Sequence, residues 1–528
     1  MGTLTASQRQ AVDSTATALC VIAGAGSGKT RVLTLRAAKR IREGSADADH
    51  TAICTFTRKA ARELRQRLDH YGVLVSAPSV AGGAPGPGVR AGTLHQLALT
   101  LLRRHAQDTG QAPPTVAEHR FRMVTAIVGE PTVASAIDNE IAWAKANSLT
   151  PATYGEQAEL VGRTCAVSRD RVAAGFEAYE EALRKRRMLD LDDVLIRSAD
   201  LIHDDVGFAE RTHWRYRHLS VDEFQDVNPA QFRLITALTG ARFDLCAVGD
   251  PNQAIYGWNG ADHRLLHRLP GLVPGMEVLR LGENHRSTSQ VVAAAGAALG
   301  PSLTAPPRAA GGDGPMPVVT AYDNEVAEAE GVAALLLDRS ASGMRWSDQA
   351  VLARTHDQLA VVRQALTRAG IPHRVAPGAE APPAGASWPG ASATAGPQPG
   401  SDPMSSDRGR QPDDAVDLAT FHRAKGLEWT SVSVVGVEDG YVPIIYAESS
   451  AAREEERRLL YVALTRASRE LHCSWAKSRT MGAGRTVERQ PSPWLAAVAR
   501  VSRTGTQRVA PRDAAQRFAA MRADLGTR

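Results

Sequence analysis

Short apolar runs recur along the chain, each closed by a turn and followed by a stretch with helical spacing. The run at residues 19–23 (LCVIA) meets a glycine-rich turn, and the run at 52–55 precedes a helix-like stretch at 59–68. The runs at 219–221 and 245–248 end at turns that contain Asp. Uninterrupted apolar runs mark strands buried on both faces, and their alternation with helices predicts parallel α/β sheets. Between residues 101 and 202 the pattern changes. That stretch is rich in Ala, Glu and Arg with apolar positions at helical spacing, and predicts an all-helical region.

Two stretches follow neither period. Residues 76–88 (SAPSVAGGAPGPG) form a flexible loop by composition. Residues 376–414 hold 27 Ala, Pro, Gly or Ser among 39 positions. So few apolar side chains cannot offset the entropy of ordering, which predicts a disordered linker.

Composition narrows the class. A chain of 528 residues suggests three to four domains. Apolar residues at 43% and charged residues at 23% suit a globular protein with a sizeable core. No apolar run is long enough to span a membrane, and the N-terminus lacks the pattern of a secretory leader. The five cysteines stand singly with no CxxC pair, so neither a zinc nor a disulfide framework is expected, and a reduced cytoplasmic location is. The net charge of +5 permits a nucleic-acid partner without requiring one. From residue 477 onward eleven Lys/Arg face three Asp/Glu, so the basic excess belongs to the C-terminal region. It reads either as a solvated, partly helical end or as a salt-sensitive tether for phosphates.

Candidate chemistry sits at the strand ends. Ala23, Gly24, Ala25, Gly26, Ser27, Gly28, Lys29 and Thr30 follow an apolar run and open a helical stretch, with Arg31 next. Glycines let backbone N–H groups close around phosphates, and a helix N-terminus adds its dipole. Lys29 then reaches the β/γ-phosphates and the Thr30 hydroxyl ligates Mg²⁺. Asp222 and Glu223 end another apolar run, where one carboxylate suits Mg²⁺ and the other the activation of water. Gln253 follows a third run, placed to sense a γ-phosphate, and Tyr256 and Trp258 offer faces on which bases stack. Taken alone, the carboxylate pair also fits a solvated turn, and the two aromatics also fit an ordinary core.

Further segments complete a set in a fixed order: LTASQRQAV (4–12), CTFTRKAA (54–61), GTLH (92–95), LDLDDVL (189–195), LGENHRST (281–288), ATFHRAKGLEW (419–429) and EEERRLLYVALTRA (454–467). With them the chain resembles the UvrD/Rep/PcrA-type helicases of superfamily 1A from residue 4 to about 478. IAWAKANSLTPATY (141–154) and SWAKSR (474–479) are most similar to the actinobacterial branch.

The resemblance implies two RecA-like P-loop motor domains, α/β in class, with an inserted all-helical subdomain called 1B. Motor domain 1A would span residues 1–100 and 211–282, with 1B at 101–210. Motor domain 2A would span 283–375 and 415–478, followed by a basic tail at 479–528. The family's 2B subdomain would be replaced by the linker at 376–414. It also implies roles. Gln8 would read adenine, and Lys29 and Thr30 would hold phosphate and Mg²⁺. Asp222 would ligate Mg²⁺, Glu223 would be the general base, and Gln253 would report the γ-phosphate. Arg286 and Arg466 would be arginine fingers, and Glu428 would contact the ribose. Phe56, Thr57, His95, Tyr256, Trp258 and His422 would contact DNA. Asn259 stands where the family usually has Arg, and His285 where it usually has Tyr.

The implied activity is an ATP- and Mg²⁺-dependent 3′-to-5′ motor on single-stranded DNA and 3′-tailed duplex, in repair or recombination, with no membrane partner. The alternative is a DNA-stimulated ATPase that translocates or remodels protein–DNA complexes without processive unwinding.

Overall fold

A computed structural model describes residues 4–75, 87–242, 244–300, 304–376, 414–481 and 484–505. The expected loop at 76–88 and linker at 376–414 lie almost wholly outside the described residues, as does the chain beyond 505. The described chain divides into two units, residues 4–24 with 28–282, and residues 25–27 with 283–376 and 414–505.

In the first unit strands and helices alternate. Helix α1 (Ala6–Asp13) leads to β1 (Leu19–Ala23), α2 (Lys29–Arg42), β2 (Thr51–Thr55), α3 (Arg58–His70), β3 (Arg90–Thr93) and α4 (Leu94–Asp108). An insertion follows, with β4 (Thr115–Val116), α5 (Arg120–Val128), α6 (Pro131–Ala146), α7 (Pro151–Leu160), α8 (Arg169–Arg186), β5 (Met188–Leu189), α9 (Leu191–Asp204) and α10 (Val206–Arg215). The chain then returns through β6 (His218–Val221), α11 (Pro229–Thr239), β7 (Leu245–Gly249), α12 (Leu265–Leu272) and β8 (Glu277–Leu281). The sheet order is β3-β2-β6-β7-β1-β8, with every pairing parallel.

The apolar runs have a simple cause. Along β1, Cys20 and Ile22 enter one core with Leu94, Val194, Phe224 and Leu234, while Leu19, Val21 and Ala23 enter the other with Val32, Leu33 and Leu64. Alternate side chains serve opposite faces, and helices cover both. The insertion has its own core, built on Val124, Ile137, Ile141, Trp143, Tyr154, Phe176 and Tyr179. It is helical except where the chain leaves and returns, since β4 and β5 pair in parallel over two residues each. Strands that short carry no period-2 signal, which is why the sequence reads as helix throughout.

The second unit contains β9 (Glu283–Asn284), α13 (Ser289–Leu299), β10 (Arg308–Ala309), β11 (Val318–Tyr322), α14 (Glu325–Ala341), β12 (Gln349–Ala353), α15 (His356–Arg368) and β13 (His373–Val375). It continues with β14 (Val416–Thr420), β15 (Trp429–Val434), α16 (Ser450–Leu464), β16 (Ala467–Ala476), β17 (Ser478–Met481), β18 (Arg485–Glu488), α17 (Leu495–Arg500) and β19 (Arg503–Gly505). Its sheet order is β13-β14-β12-β15-β16-β11-β19, again parallel at every pairing.

Up to residue 505 the C-terminal region is partly helical, as expected, with α17 at Leu495–Arg500, but it is folded onto the second unit rather than a solvated tail. Strand β19 pairs with β11, and Trp494, Leu495 and Val498 are buried. Arg479 is buried between Glu328 and Glu438, 2.5 and 2.6 Å away. A charge count along the sequence cannot see that two distant glutamates neutralise this arginine inside the fold.

Candidate functional site

Every strand of the first sheet runs the same way, so all C-terminal ends open on one edge. Ligands of open α/β sheets bind at such an edge, where loops leave the strands. The loop after β1 enters α2 through Gly28, whose φ of +81° is left-handed, as is the +69° of Gly26. Glycine reaches this region without the penalty a Cβ imposes. Gln8 lies over the helix start, since an ideal Cβ on Gly28 would be 3.0 Å from its Nε2. The Gln8 Oε1 atom meanwhile accepts from Thr5 N, within a capping box that starts α1.

Lys29 and Thr30 open α2, and Arg31 completes the same turn. The Thr30 hydroxyl donates to Asp222 Oδ2 at 2.8 Å. Asp222 directly follows β6, and Glu223 comes next with φ +54°, a strained value for a side chain with a Cβ. The Lys29 ammonium lies 3.9 Å from Asp250 Oδ2. Asp250 follows β7 and accepts from Gln253 Nε2 at 2.6 Å. Burial, and then the neighbouring Glu223, push the Asp222 carboxyl up to about 6. Burial also raises Asp250.

Two residues here carried no role in the sequence reading. Gln225 donates to Glu223 Oε2 at 2.5 Å, and its Oε1 accepts from Asp250 N at 2.8 Å. It ties Glu223 to the turn after β7 that carries Gln253. A Cβ on Gly249 would fall 2.7 Å from Gln225 Oε1, so that close approach requires glycine. Asp250 balances Lys29. Both residues lie inside conspicuous segments, but only geometry separates them from their neighbours.

Mg²⁺ prefers hard oxygen ligands and keeps several waters, so one carboxylate and one hydroxyl from the protein suffice. Thr30 Oγ1 and Asp222 Oδ2 fit that description. The crowding of Asp222 by Glu223 is the like-charge strain that a bound cation relieves.

The proposed DNA contacts of this unit lie farther along the same edge. Phe56 and Thr57 follow β2 and His95 follows β3. Phe56 packs partly against the core, and Thr57 caps α3 by accepting from Ala60 N at 3.1 Å. Burial lowers His95 to about 4, so it is neutral at pH 7. Tyr256 and Trp258 occupy the turn after Gln253, and burial raises the Tyr256 phenol. Apart from Gln8 on α1, nucleotide candidates of this unit thus lie after β1, β6 and β7, and DNA candidates after β2, β3 and in the turn farther beyond β7.

In the second unit two more candidates, Arg286 and Arg466, meet at residues 427 and 428. Arg286 Nε lies 2.5 Å from Glu428 Oε2. Arg466 is buried, and it donates to Val462 O at 2.9 Å and Leu427 O at 3.1 Å. His422 lies in the turn after β14, lowered to about 3 chiefly by burial. Within the EEERRLL segment, Glu456 pairs with Arg354 at 2.7 Å, both buried, which is a structural bond.

The family model for the UvrD/REP helicase N-terminal domain matches residues 4–272, and that for the UvrD-like helicase C-terminal domain matches 403–478. The chain is 34% identical to "ATP-dependent DNA helicase UvrD2" of Mycobacterium tuberculosis, over 93% of this chain and 81% of that protein. It is 30% identical to "DNA helicase II" of Escherichia coli and 29% identical to "ATP-dependent DNA helicase PcrA" of Leuconostoc citreum. Each of those matches covers 70% of this chain and about half of the relative. The chain belongs to the UvrD/REP helicase family.

Proposed function

We propose that this protein is an ATP-dependent DNA helicase that moves 3′ to 5′ on single-stranded DNA and acts in repair. The observation that supports this most is the Thr30–Asp222–Glu223 cluster beside Lys29, set at the strand ends of a chain from this family. Glu223 would take the proton of the attacking water, and Gln225 would hold that carboxylate in line. Lys29 would exchange Asp250 for phosphate oxygens. Gln253, already bonded to Asp250, would register the change. A bound Mg²⁺ would supply charge compensation for the phosphates, held by Thr30 and Asp222. Gln8 would read the base, Glu428 the ribose, and Arg286 and Arg466 would stabilise the transferring phosphoryl group. Phe56, Thr57, His95, Tyr256, Trp258 and His422 would contact the strand.

We further propose residues 1–100 and 211–282 as one motor domain, 101–210 as its insertion, and 283–375 with 415–478 as the second. Residues up to 505 extend that second domain's sheet.

A translocase or remodeller without processive unwinding is the second reading. It is favoured by the 40 residues between the ends of β13 and β14, strands that pair directly and between which the family's 2B would be inserted. Strand displacement on duplexes with 3′ or 5′ tails separates the two. Unwinding from the 3′ tail supports the helicase, and ATP turnover without displacement supports the translocase. Unwinding from the 5′ tail alone would overturn the polarity.

A further inference from the structure

Two sequence segments, residues 141–154 and 189–195, have no part in the site above, yet they meet in the fold. Lys145, in the last turn of α6, is 3% exposed. Its ammonium lies 2.7 Å from Glu180, 2.8 Å from Asp190 and 2.8 Å from Asp193. It also stands 5.3 Å over the ring of Tyr179, whose hydroxyl donates to Asp190 at 3.0 Å. One cation thus fastens the end of α6 to α8 and to the first turn of α9. Asp190 N-caps α9, and that helix packs on the core of the sheet.

The next residue makes the contact that matters. Gly260 ends the turn that carries Trp258, with φ +87°. A Cβ there would fall 2.7 Å from Ala146 Cβ and 3.2 Å from Asn147 Nδ2. The turn is compact, since Asn259 N and Ala261 N both donate to Tyr256 O, at 3.0 and 3.2 Å. Gln253 and Asp250 lie immediately upstream. The end of α6 is therefore the floor on which the turn rests, and Lys145 sets the height of that floor.

We propose that Lys145 is a positioning residue for DNA binding: by locking the end of α6, it places Tyr256 and Trp258 through the Ala146–Gly260 contact and couples the helical insertion to the nucleotide site. This rests on the helicase reading above. Buried cations with several carboxylate partners are costly to break, and packed elements of this kind have discrete arrangements rather than continuous play.

The test is steady-state ATP turnover of the full chain, titrated with oligo-dT. For Lys145→Met, the oligo-dT concentration giving half-maximal stimulation is expected to rise about tenfold. Turnover without DNA and the KM for ATP stay as in the unsubstituted protein. Lys145→Arg, which keeps the charge, restores most of the response. Ala146→Val leaves the ion cluster whole while thickening the contact, and is expected to give the same DNA defect. It decides the matter alone if Lys145→Met does not fold. The proposal is overturned if the folded variants keep normal DNA dependence, or if turnover without DNA falls in parallel. If oligo-dT fails to stimulate the unsubstituted protein, the helicase reading itself is at fault and the proposal falls with it.

Discussion

Thr30 donates its hydroxyl to Asp222 across 2.8 Å, joining the first turn of α2 to the end of β6. The bond brings together the two oxygens best suited to a divalent cation, and burial, with the neighbouring Glu223 carboxylate, raises Asp222 to about 6. Asp222→Asn relieves the like-charge crowding but removes the anionic oxygen. ATP turnover is expected to fall at least about 100-fold. Stability without nucleotide should hold or rise by about 1–2 kcal/mol, because the shifted carboxyl is a strain on the fold. Turnover at saturating Mg²⁺ and denaturant unfolding check the pair. Lost activity together with lost stability would mean the aspartate is only a structural group.

Gln225 offers a second test, since it bridges Glu223 and the Asp250 amide. Gln225→Leu leaves that buried amide without its acceptor, at a cost of about 1–3 kcal/mol in urea unfolding. It also frees Glu223 to turn from the line of attack, so kcat should drop more than KM for ATP rises. An unchanged kcat would show that Glu223 needs no such support.

DNA binding and hydrolysis should separate by residue. Trp258→Ala is expected to weaken single-strand binding by about 1–3 kcal/mol, the usual worth of one base stacked on an aromatic ring. Lys29→Ala should leave binding without nucleotide near normal while abolishing turnover. Fluorescence anisotropy with labelled oligo-dT reads the first and phosphate release the second.

Strands β1, β2, β6 and β7 of the first sheet and the phosphate loop are legible in the sequence because they are short apolar runs closed by turns, and glycine spacing marks a turn around phosphate. Strand β8, with alternate residues partly exposed, and the strands of the second sheet are not singled out that way. The site's internal wiring is not legible. Gln225 looks like any polar residue after an acidic pair until its bonds to Glu223 and Asp250 are seen. Lys145 resembles a solvated helix cation, yet its partners are 35 to 48 residues away. Arg479 reads as the start of a basic tail, although Glu328 and Glu438 hold it inside the second unit. In each case the sequence states which group is present, and only tertiary contact states what neutralises it.

Acid should expose a different group. His472 is buried, with Nε2 3.0 Å from Thr320 Oγ1, and burial lowers it from 6.5 to about 3. A histidine whose folded value is depressed contributes stability above its unfolded value, and that contribution is lost as pH falls toward the folded one. Between pH 6 and 4, unfolding free energy should fall more steeply than in His472→Gln, by about 1.4 kcal/mol per pH unit. Parallel curves would place His472 outside the acid response.

The most direct measurement is ATP turnover with and without single-stranded DNA, in Mg²⁺, with Lys29→Ala as control. A motor predicts turnover that rises at least about tenfold on adding oligo-dT and vanishes in the Lys29 variant. Turnover indifferent to DNA, or retained without Lys29, would contradict the assignment of this site as the engine of a DNA helicase.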